Sequence, residues 1–139
     1  GSVLYAGGVA VGAMRARVPG TPEHAMRVYS RFDVDKAYVK NVHLSTSKVG
    51  KVKFGGTRAD AESILKATIV KGDIMSIANN GLSSMEKQSY GYIINAGKAI
   101  GTKSEQYIRL ALSVDGGFIT AFPYNTSYFK DLSRLTVLM

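Results

Sequence analysis

Polar side chains that suit phosphate chemistry occur near the end of the chain, on two stretches that alternate as β-strands do. The segment YIRLALSV (107–114) precedes a DGG turn (115–117), and FITAF (118–122) follows it. Alternation around a Gly-rich turn predicts a β-hairpin. Because the register fixes the face of each side chain, we expect Arg109 and Thr120 on one face. A guanidinium and a hydroxyl there can stabilise a phosphate group, although both are also common on solvated sheet faces.

Two registers of this hairpin are open from the sequence. A loop at Asp115-Gly116 pairs Ala111 with Thr120, whereas a loop at Gly116-Gly117 pairs Ser113 with Thr120. In both registers one face is predicted to be core, and it carries Ile108, Leu110, Leu112, Ile119 and Ala121. The other face carries Tyr107, Arg109, Ser113, Thr120 and Phe122. A longer loop with a bulge would alter this assignment.

His43 is a candidate for proton transfer. It lies in NVHLSTSK, between Lys40 and the hydroxyls of residues 45–47. Histidine titrates near neutral pH, so among hydroxyls and cations it can serve as a general base. The plainer alternative is a surface or strand histidine. His24 lies at a predicted helix start, where a structural or surface role is expected.

The charge balance favours a polyanionic partner. Eighteen Lys and Arg against ten Asp and Glu give a net charge of +8 and a pI near 9.8. This suits nucleic acid, a membrane surface or an acidic protein, or it serves solubility alone. The absence of cysteine excludes disulfides and thiol catalysis, and two isolated histidines do not indicate a metal site. The longest apolar run, residues 3–14, is shorter than the about 20 residues that a membrane-spanning helix needs.

The chain divides into a Gly- and Ala-rich arm or linker, residues 1–20, and a single domain, residues 21–139. In the domain, a Thr-Pro-Glu start predicts a helix from Pro22 to about Phe32. A second helix is predicted over TRADAESILKATIVKG (57–72), with a threonine cap, an apolar stripe and a C′ glycine. Because helices precede a run of strands, the predicted class is α+β: N-terminal helices packed on a twisted antiparallel β-sheet.

Other stretches give weaker patterns. Residues 34–44 are ambiguous between helix and strand, and the basic loop after them has room for a short strand, Lys51 to Phe54. Asn79-Asn80-Gly81 predicts a turn, and YGYIINAG (90–97) predicts a strand.

The segment GKAIGTKS (97–104) has some likeness to a phosphate loop. It lacks the spacing of that motif and leads into a strand rather than a helix, so ATP binding is rejected. Lys98, Lys103 and the backbone amides near the two glycines remain candidates for holding an RNA phosphate.

The order of these segments resembles a known nuclease superfamily. A histidine in a polar loop (NVHLSTSKVGKVKF) precedes the capped helix, a glycine-punctuated strand pair (YGYIINAGKAIG) and YIRLALSVDGGFITAFPYN. Over about residues 40–125 the chain is similar to the group of barnase, EndoU, colicin D and RelE. It is especially similar to the toxin tips of contact-dependent inhibition and other polymorphic toxin systems. The hairpin DGGFITAFP is the most specific part of the likeness.

The resemblance implies an α+β, metal-independent endoribonuclease toxin without a cofactor, often acting on tRNA. In that chemistry a ribose 2′-OH attacks the neighbouring phosphorus, assisted by a base, an acid and cations. The resemblance also implies a monomer that a cognate immunity protein neutralises, and the basic charge predicts that this partner is acidic. Such a toxin is secreted or delivered from a cell surface and acts in the cytoplasm of a target bacterium. No stable membrane span is expected.

Site residues follow from positions within the matched segment. The resemblance implies His43 as general acid or base and Thr120 as a phosphate contact; the shared face adds Arg109 as a phosphate-stabilising group. Tyr124 completes the predicted catalytic set, with base stacking as its role. Contacts to the RNA are expected from Lys40, Ser45, Lys48, Lys98 and Lys103. EndoU-type members use two histidines, but His24 lies outside the matched segment, so a two-histidine mechanism is not implied.

Two other functions fit parts of the sequence. VYSR, STS and SEQYIR loosely echo the arginine, hydroxyl motif and catalytic glutamate of mono-ADP-ribosyltransferases. However, Ser104-Glu105-Gln106 has one acidic residue where that family typically has Glu-X-Glu. A non-catalytic RNA-binding module is the second alternative, since the charge and the aromatic residues suit binding alone.

Overall fold

The computed structural model of the protein describes residues 16–82 and 88–125. Within these residues, two α-helices precede a four-stranded antiparallel sheet, which confirms the predicted α+β class. The elements are α1 Pro22–Arg31, α2 Arg58–Lys71, β1 Asp73–Leu82, β2 Gln88–Asn95, β3 Tyr107–Ser113 and β4 Phe118–Tyr124. Most of the predicted arm and the last part of the predicted domain lie outside the described residues. The strands pair in the order β1-β2-β3-β4, so each lies beside its neighbour in sequence.

Helix α1 begins as the sequence predicts. The hydroxyl of Thr21 accepts a hydrogen bond from the His24 amide at 3.1 Å, and Pro22 occupies the first turn. Phe32 is the residue that ends the helix, in extended backbone conformation. The buried side of α1 presents Ala25 to the sheet, where the hydroxyl of Tyr92 donates to the Ala25 carbonyl at 2.6 Å.

Helix α2 has a complete capping box. The Thr57 hydroxyl accepts from the Asp60 amide at 3.2 Å, and the Asp60 carboxylate accepts from the Thr57 amide at 3.0 Å. Of the five residues in the predicted apolar stripe, Ala61, Leu65, Thr68 and Ile69 are buried, and Ile64 is partly buried against the core. Gly72 ends the helix as predicted, but its φ of −72° is not the left-handed conformation that is typical of a C′ glycine. Gly72 is instead required for space, since a Cβ there would lie 2.6 Å from the Ile94 side chain.

The core fills the space between the two helices and one face of the sheet. The helices contribute small and branched side chains, and the strands contribute Ile77, Tyr90, Tyr92, Ile94, Ile108, Leu110, Leu112 and Ala121. Most of these side chains are fully buried. Burial of this much apolar surface is the main force that fixes the sheet against the helices.

The hairpin of β3 and β4 takes the first of the two registers and adds a bulge. Ala111 pairs with Thr120, and a register shift then pairs Leu112 with Phe118. Ile119 lies within that shift and is only partly buried, so its predicted place in the core is wrong. Phe118 packs against the core in its place.

Residues 79–81 do not form the predicted turn. They belong to β1, where Asn79 pairs with Tyr90 and Gly81 pairs with Ser89. Asn80 lies at the register shift between them. The Asn-Gly sequence therefore marks a bulge rather than a chain reversal, which is a second role that such residues often take in strands.

The ambiguous segment 34–44 is neither a long helix nor a strand. It forms two short 3₁₀ turns, Val34–Lys36 and Asn41–His43, and runs beside β4. The predicted strand from Lys51 to Phe54 is reduced to a single bridge between Phe54 and Gly101.

Helix α2 holds this segment in place through its first turns. The Arg58 guanidinium donates to the Val39 carbonyl at 2.6 Å and also binds the side chain of Asn41. The Glu62 carboxylate accepts from the Val39 amide at 2.9 Å. Two side chains of one helix therefore fix the backbone that leads to His43.

Candidate active site

The sheet face that points away from both helices carries most of the predicted catalytic residues. We call it the outer face. The pairing of the strands places two rows there: Ser76, Ile93, Arg109 and Phe122 in one, and Ala78, Gly91, Ala111 and Thr120 in the other. Tyr124 follows Phe122 by two residues and takes the same face. The structure therefore brings Arg109, Thr120 and Tyr124 together on one surface, as the alternation of the strands predicts.

Arg109 is half-buried near the middle of the outer face. One of its terminal nitrogens donates to the side-chain oxygen of Asn80 at 3.4 Å, a long hydrogen bond. No carboxylate among the described residues forms an ion pair with Arg109. Its charge is therefore available to an anion that binds at the outer face.

His43 lies at the β4 edge of this face. Its ring stacks on Phe122, with ring centroids 5.2 Å apart and an interplanar angle of 27°. Phe122 is the direct strand partner of Arg109. A single aromatic side chain, Phe122, therefore links the imidazole to the strand position that is paired with Arg109.

A backbone hydrogen bond sets the tautomer of His43. Nδ1 lies 2.8 Å from the carbonyl oxygen of Val52. A carbonyl only accepts, so Nδ1 carries the hydrogen, and in the neutral ring Nε2 keeps its lone pair. Within residues 16–82 and 88–125, Nε2 has no hydrogen-bond partner. The ring is held by one nitrogen and offers the other as a base.

The surroundings of His43 favour its neutral form. Burial lowers its pKa below the usual value near 6.5, and the Val52 hydrogen bond opposes this. The positive charges of Lys40, Lys51 and Lys53 lower the pKa further. The sequence predicted Lys40 beside His43 but missed the other two, because only the fold returns residues 51–53 to the imidazole. At neutral pH the ring is therefore a free base beside cations.

The other predicted RNA-binding residues lie in two separate regions of the structure. Lys48 is exposed on the same loop, and the Ser45 hydroxyl donates to the Gly56 carbonyl at 2.8 Å. Lys103 is exposed. The amide of its neighbour Thr102 donates to the Lys53 carbonyl at 2.9 Å, so Lys103 lies near the lysines around His43. Lys98 lines a different cavity, of about 360 Å³, against the end of α2.

His24 is not part of this site. Its Nδ1 lies 2.7 Å from the hydroxyl of Tyr90, a core residue on the helix side of the sheet. Burial and the charge of Arg27 lower its pKa. The structure thus separates the two histidines, as the position of His24 outside the matched segment suggested.

Asn80 and Ser76 also belong to the outer face, and sequence reasoning missed both. They line a cavity of about 170 Å³ together with Arg109 and Tyr124. No sequence signal marks Ser76, and Asn80 was interpreted as a turn residue. Strand pairing across β1, β2 and β3 is what places them beside the arginine.

Among the described residues, no group of three or more His, Asp or Glu is placed to hold a metal ion. No helix in residues 16–82 and 88–125 has the length and apolar character needed to cross a membrane. Comparison with known protein families, with curated proteins and with solved structures found no match to this chain.

Proposed function

We propose that this chain is an endoribonuclease that cleaves RNA by 2′-OH transesterification without a metal ion. The observation that supports this most is the state of His43: one ring nitrogen is fixed to a backbone carbonyl, and the other keeps its lone pair. A base with a lowered pKa, surrounded by lysines, suits the removal of a proton beside a polyanion.

In the proposed reaction, Nε2 of His43 accepts the proton of the ribose 2′-OH. The 2′ oxygen bonds to the adjacent phosphorus, and the bond between that phosphorus and the 5′ oxygen breaks. An ammonium group or water supplies the proton to the leaving oxygen. The products are a 2′,3′-cyclic phosphate and a 5′-hydroxyl, and no oxidant or cofactor is needed.

Arg109 and Thr120 are the groups that stabilise the phosphorane in this proposal. Both lie on the outer face, and Arg109 has no carboxylate partner among the described residues. A guanidinium can bind two phosphate oxygens at once, and a hydroxyl adds a third donor. Stabilising charge that develops in the transition state is usually the largest part of catalysis. Tyr124 lies at the end of the same surface, where a base can stack on its ring.

The substrate and partner follow the charge and the resemblance. A net charge of +8 favours RNA, and we propose tRNA as the target. The same charge favours an acidic immunity protein that covers the site. The role is that of an antibacterial toxin domain, delivered from outside and active in the cytoplasm of the target cell.

The mono-ADP-ribosyltransferase alternative receives less support. Its candidate glutamate, Glu105, is 3% exposed, and its carboxylate accepts from the Lys103 amide at 2.8 Å. A carboxylate committed to its own loop is poorly placed to act on NAD. The non-catalytic alternative predicts that the protein binds RNA without cleaving it. The experiment below separates it from the proposal by testing for cleavage products.

The test is cleavage of total tRNA by purified protein in EDTA. We expect fragments that end in 2′,3′-cyclic phosphate, and His43→Ala should lower the rate by about 10²–10⁴-fold. His24→Ala is the matched control, because it removes the only other histidine from the helix side. Thermal melts of both variants show whether they fold. Intact tRNA at high wild-type concentration, or full activity in His43→Ala, would overturn the proposal.

A further inference from the structure

A small cavity on the outer face has no part in the proton-transfer chemistry. Its volume is about 170 Å³, and it opens beside Arg109. Drug-sized ligands occupy cavities of about 300–1,000 Å³, so this one suits a single ring system rather than a whole nucleotide. Because Arg109 lines it, a group bound there lies next to a phosphate held by the same guanidinium.

The floor of the cavity is apolar and its rim is polar. Gly91 and Ile93 of β2 form part of the floor, and Ile93 is 8% exposed. Asn80 and the Arg109 guanidinium supply hydrogen-bonding groups at the rim, and Ser76, which is 4% exposed, adds a buried hydroxyl to the lining. A flat apolar surface with a few fixed donors and acceptors suits a nucleobase better than a bare phosphate, which would need several cationic donors.

The position of Asn80 depends on two features of the sheet. The register shift of β1 places Asn80 between residues that pair with β2, and Gly91 lies directly beneath its carboxamide. A Cβ on residue 91 would lie 2.9 Å from Nδ2 and 3.2 Å from Oδ1 of Asn80. The glycine therefore provides the space in which the amide lies.

The carboxamide of Asn80 has the donor and acceptor pattern that recognises adenine. Its oxygen accepts from Arg109 at 3.4 Å and has a second lone pair, while Nδ2 has two hydrogens. An asparagine side chain pairs with the N6 and N7 edge of adenine through one acceptor and one donor. The hydrogen bond to Arg109 orients the oxygen and leaves this pairing possible.

We propose that this cavity is a nucleobase subsite that selects adenine next to the cleaved phosphate, with Asn80 as the specificity-determining residue. The inference rests on the proposed function, because it takes the ligand to be RNA. Gly91 acts as a positioning residue: its lack of a side chain makes room for the Asn80 carboxamide that pairs with the base.

The first experiment measures binding of 5′-AMP, GMP, CMP and UMP to the wild-type protein by NMR shift titration. We expect the tightest binding for AMP, with a preference over UMP of about 5- to 150-fold, the range given by one bidentate base contact. Equal affinities for all four nucleotides would overturn the subsite. This measurement needs no variant, so a folding defect cannot obscure it.

Two variants with the same change of charge sharpen the result. Asn80→Asp keeps the shape of the side chain but removes the amide hydrogens, so the ratio of AMP to UMP affinity should approach one. Asn79→Asp is the matched control, because Asn79 pairs with Tyr90 and its side chain takes the helix side. Repulsion of the phosphate affects all nucleotides alike and leaves the ratio unchanged. An unchanged ratio in Asn80→Asp would overturn the role of Asn80.

Gly91→Ala tests the positioning role. The added methyl displaces the Asn80 carboxamide, which is the end of a flexible side chain, so the fold is retained and the preference for AMP is lost. Retained preference would show that Gly91 does not position Asn80.

The two proposals can also fail separately. If the protein binds AMP selectively but does not cleave RNA, the proposed nuclease activity is overturned and the adenine subsite is supported. If it cleaves RNA but binds all four nucleotides equally, the subsite is overturned and the nuclease activity is supported.

Discussion

The two histidines lie on different sides of the sheet, and the same ring nitrogen has a different kind of partner in each. On the helix side, Nδ1 of His24 pairs with the buried hydroxyl of Tyr90 at 2.7 Å, and that hydroxyl also accepts from the Gly20 amide at 2.7 Å. At the outer face, Nδ1 of His43 donates to a backbone carbonyl. One ring completes a network that holds the start of α1, and the other is fixed so that its second nitrogen is a base.

The same difference extends to the groups around each histidine. On the helix side, the Tyr90 hydroxyl joins the His24 ring to the Gly20 amide, so these polar groups bind one another. At the outer face, the side chains of His43 and Arg109 each have one hydrogen bond, and both retain capacity for an anion. We therefore expect substitutions on the helix side to change the free energy of unfolding, and substitutions on the outer face to change cleavage.

After His43→Ala, Arg109→Gln should give the next largest effect on cleavage. Loss of the guanidinium removes the main charge facing the phosphorane, so cleavage should fall about a hundredfold, equal to about 2.7 kcal/mol of transition-state stabilisation. The measurement is single-turnover cleavage of tRNA. Arg27→Gln is the control, because Arg27 lines a cavity on the helix side with His24. Equal losses in both variants would mean that general charge, rather than the outer face, drives the reaction.

Tyr90→Phe should show the opposite pattern. It removes a buried hydroxyl that serves both Gly20 and His24, so the free energy of unfolding should fall by about 1–3 kcal/mol. Urea unfolding measures this loss, and cleavage at a temperature where the variant is folded should be unchanged. A large loss of activity in folded Tyr90→Phe would contradict the separation of the two sides.

The pH dependence of stability should give the smallest effect, and it is shared by both histidines. Burial lowers the pKa of each in the folded state, so near and below the unfolded value of 6.5 the unfolded chain binds more protons. The stabilisation is present above pH 6.5 and is lost as the pH falls below it. Arg27 near His24, and Lys40, Lys51 and Lys53 near His43, act in the same direction.

Urea unfolding at about pH 7.5 and about pH 5.5 measures this dependence. His24→Gln and His43→Gln should each reduce the difference between the two conditions. A wild-type protein that is equally stable at both would show that neither histidine is shielded from protonation.

The accuracy of the sequence predictions depended on how local each pattern is. Both helices, their N-caps and the pairing of β3 with β4 were predicted correctly, because capping and alternation act over a few residues. The errors occurred where pairing with a neighbouring strand determines the local structure. Asn79-Gly81 has the composition of a turn but pairs with β2, and a bulge moved Ile119 out of the core.

The sequence by itself determined the class of fold and the shared face of Arg109 and Thr120, since alternation along a strand is a local property. It also singled out His43 by its residue type and its basic surroundings. Only the tertiary structure decided that His43 stacks on Phe122, that Lys51 and Lys53 return to its ring, and that Asn80 lies over Gly91. Those contacts join residues far apart in the chain, and they exist because burial of the core and pairing of the strands bring the segments together.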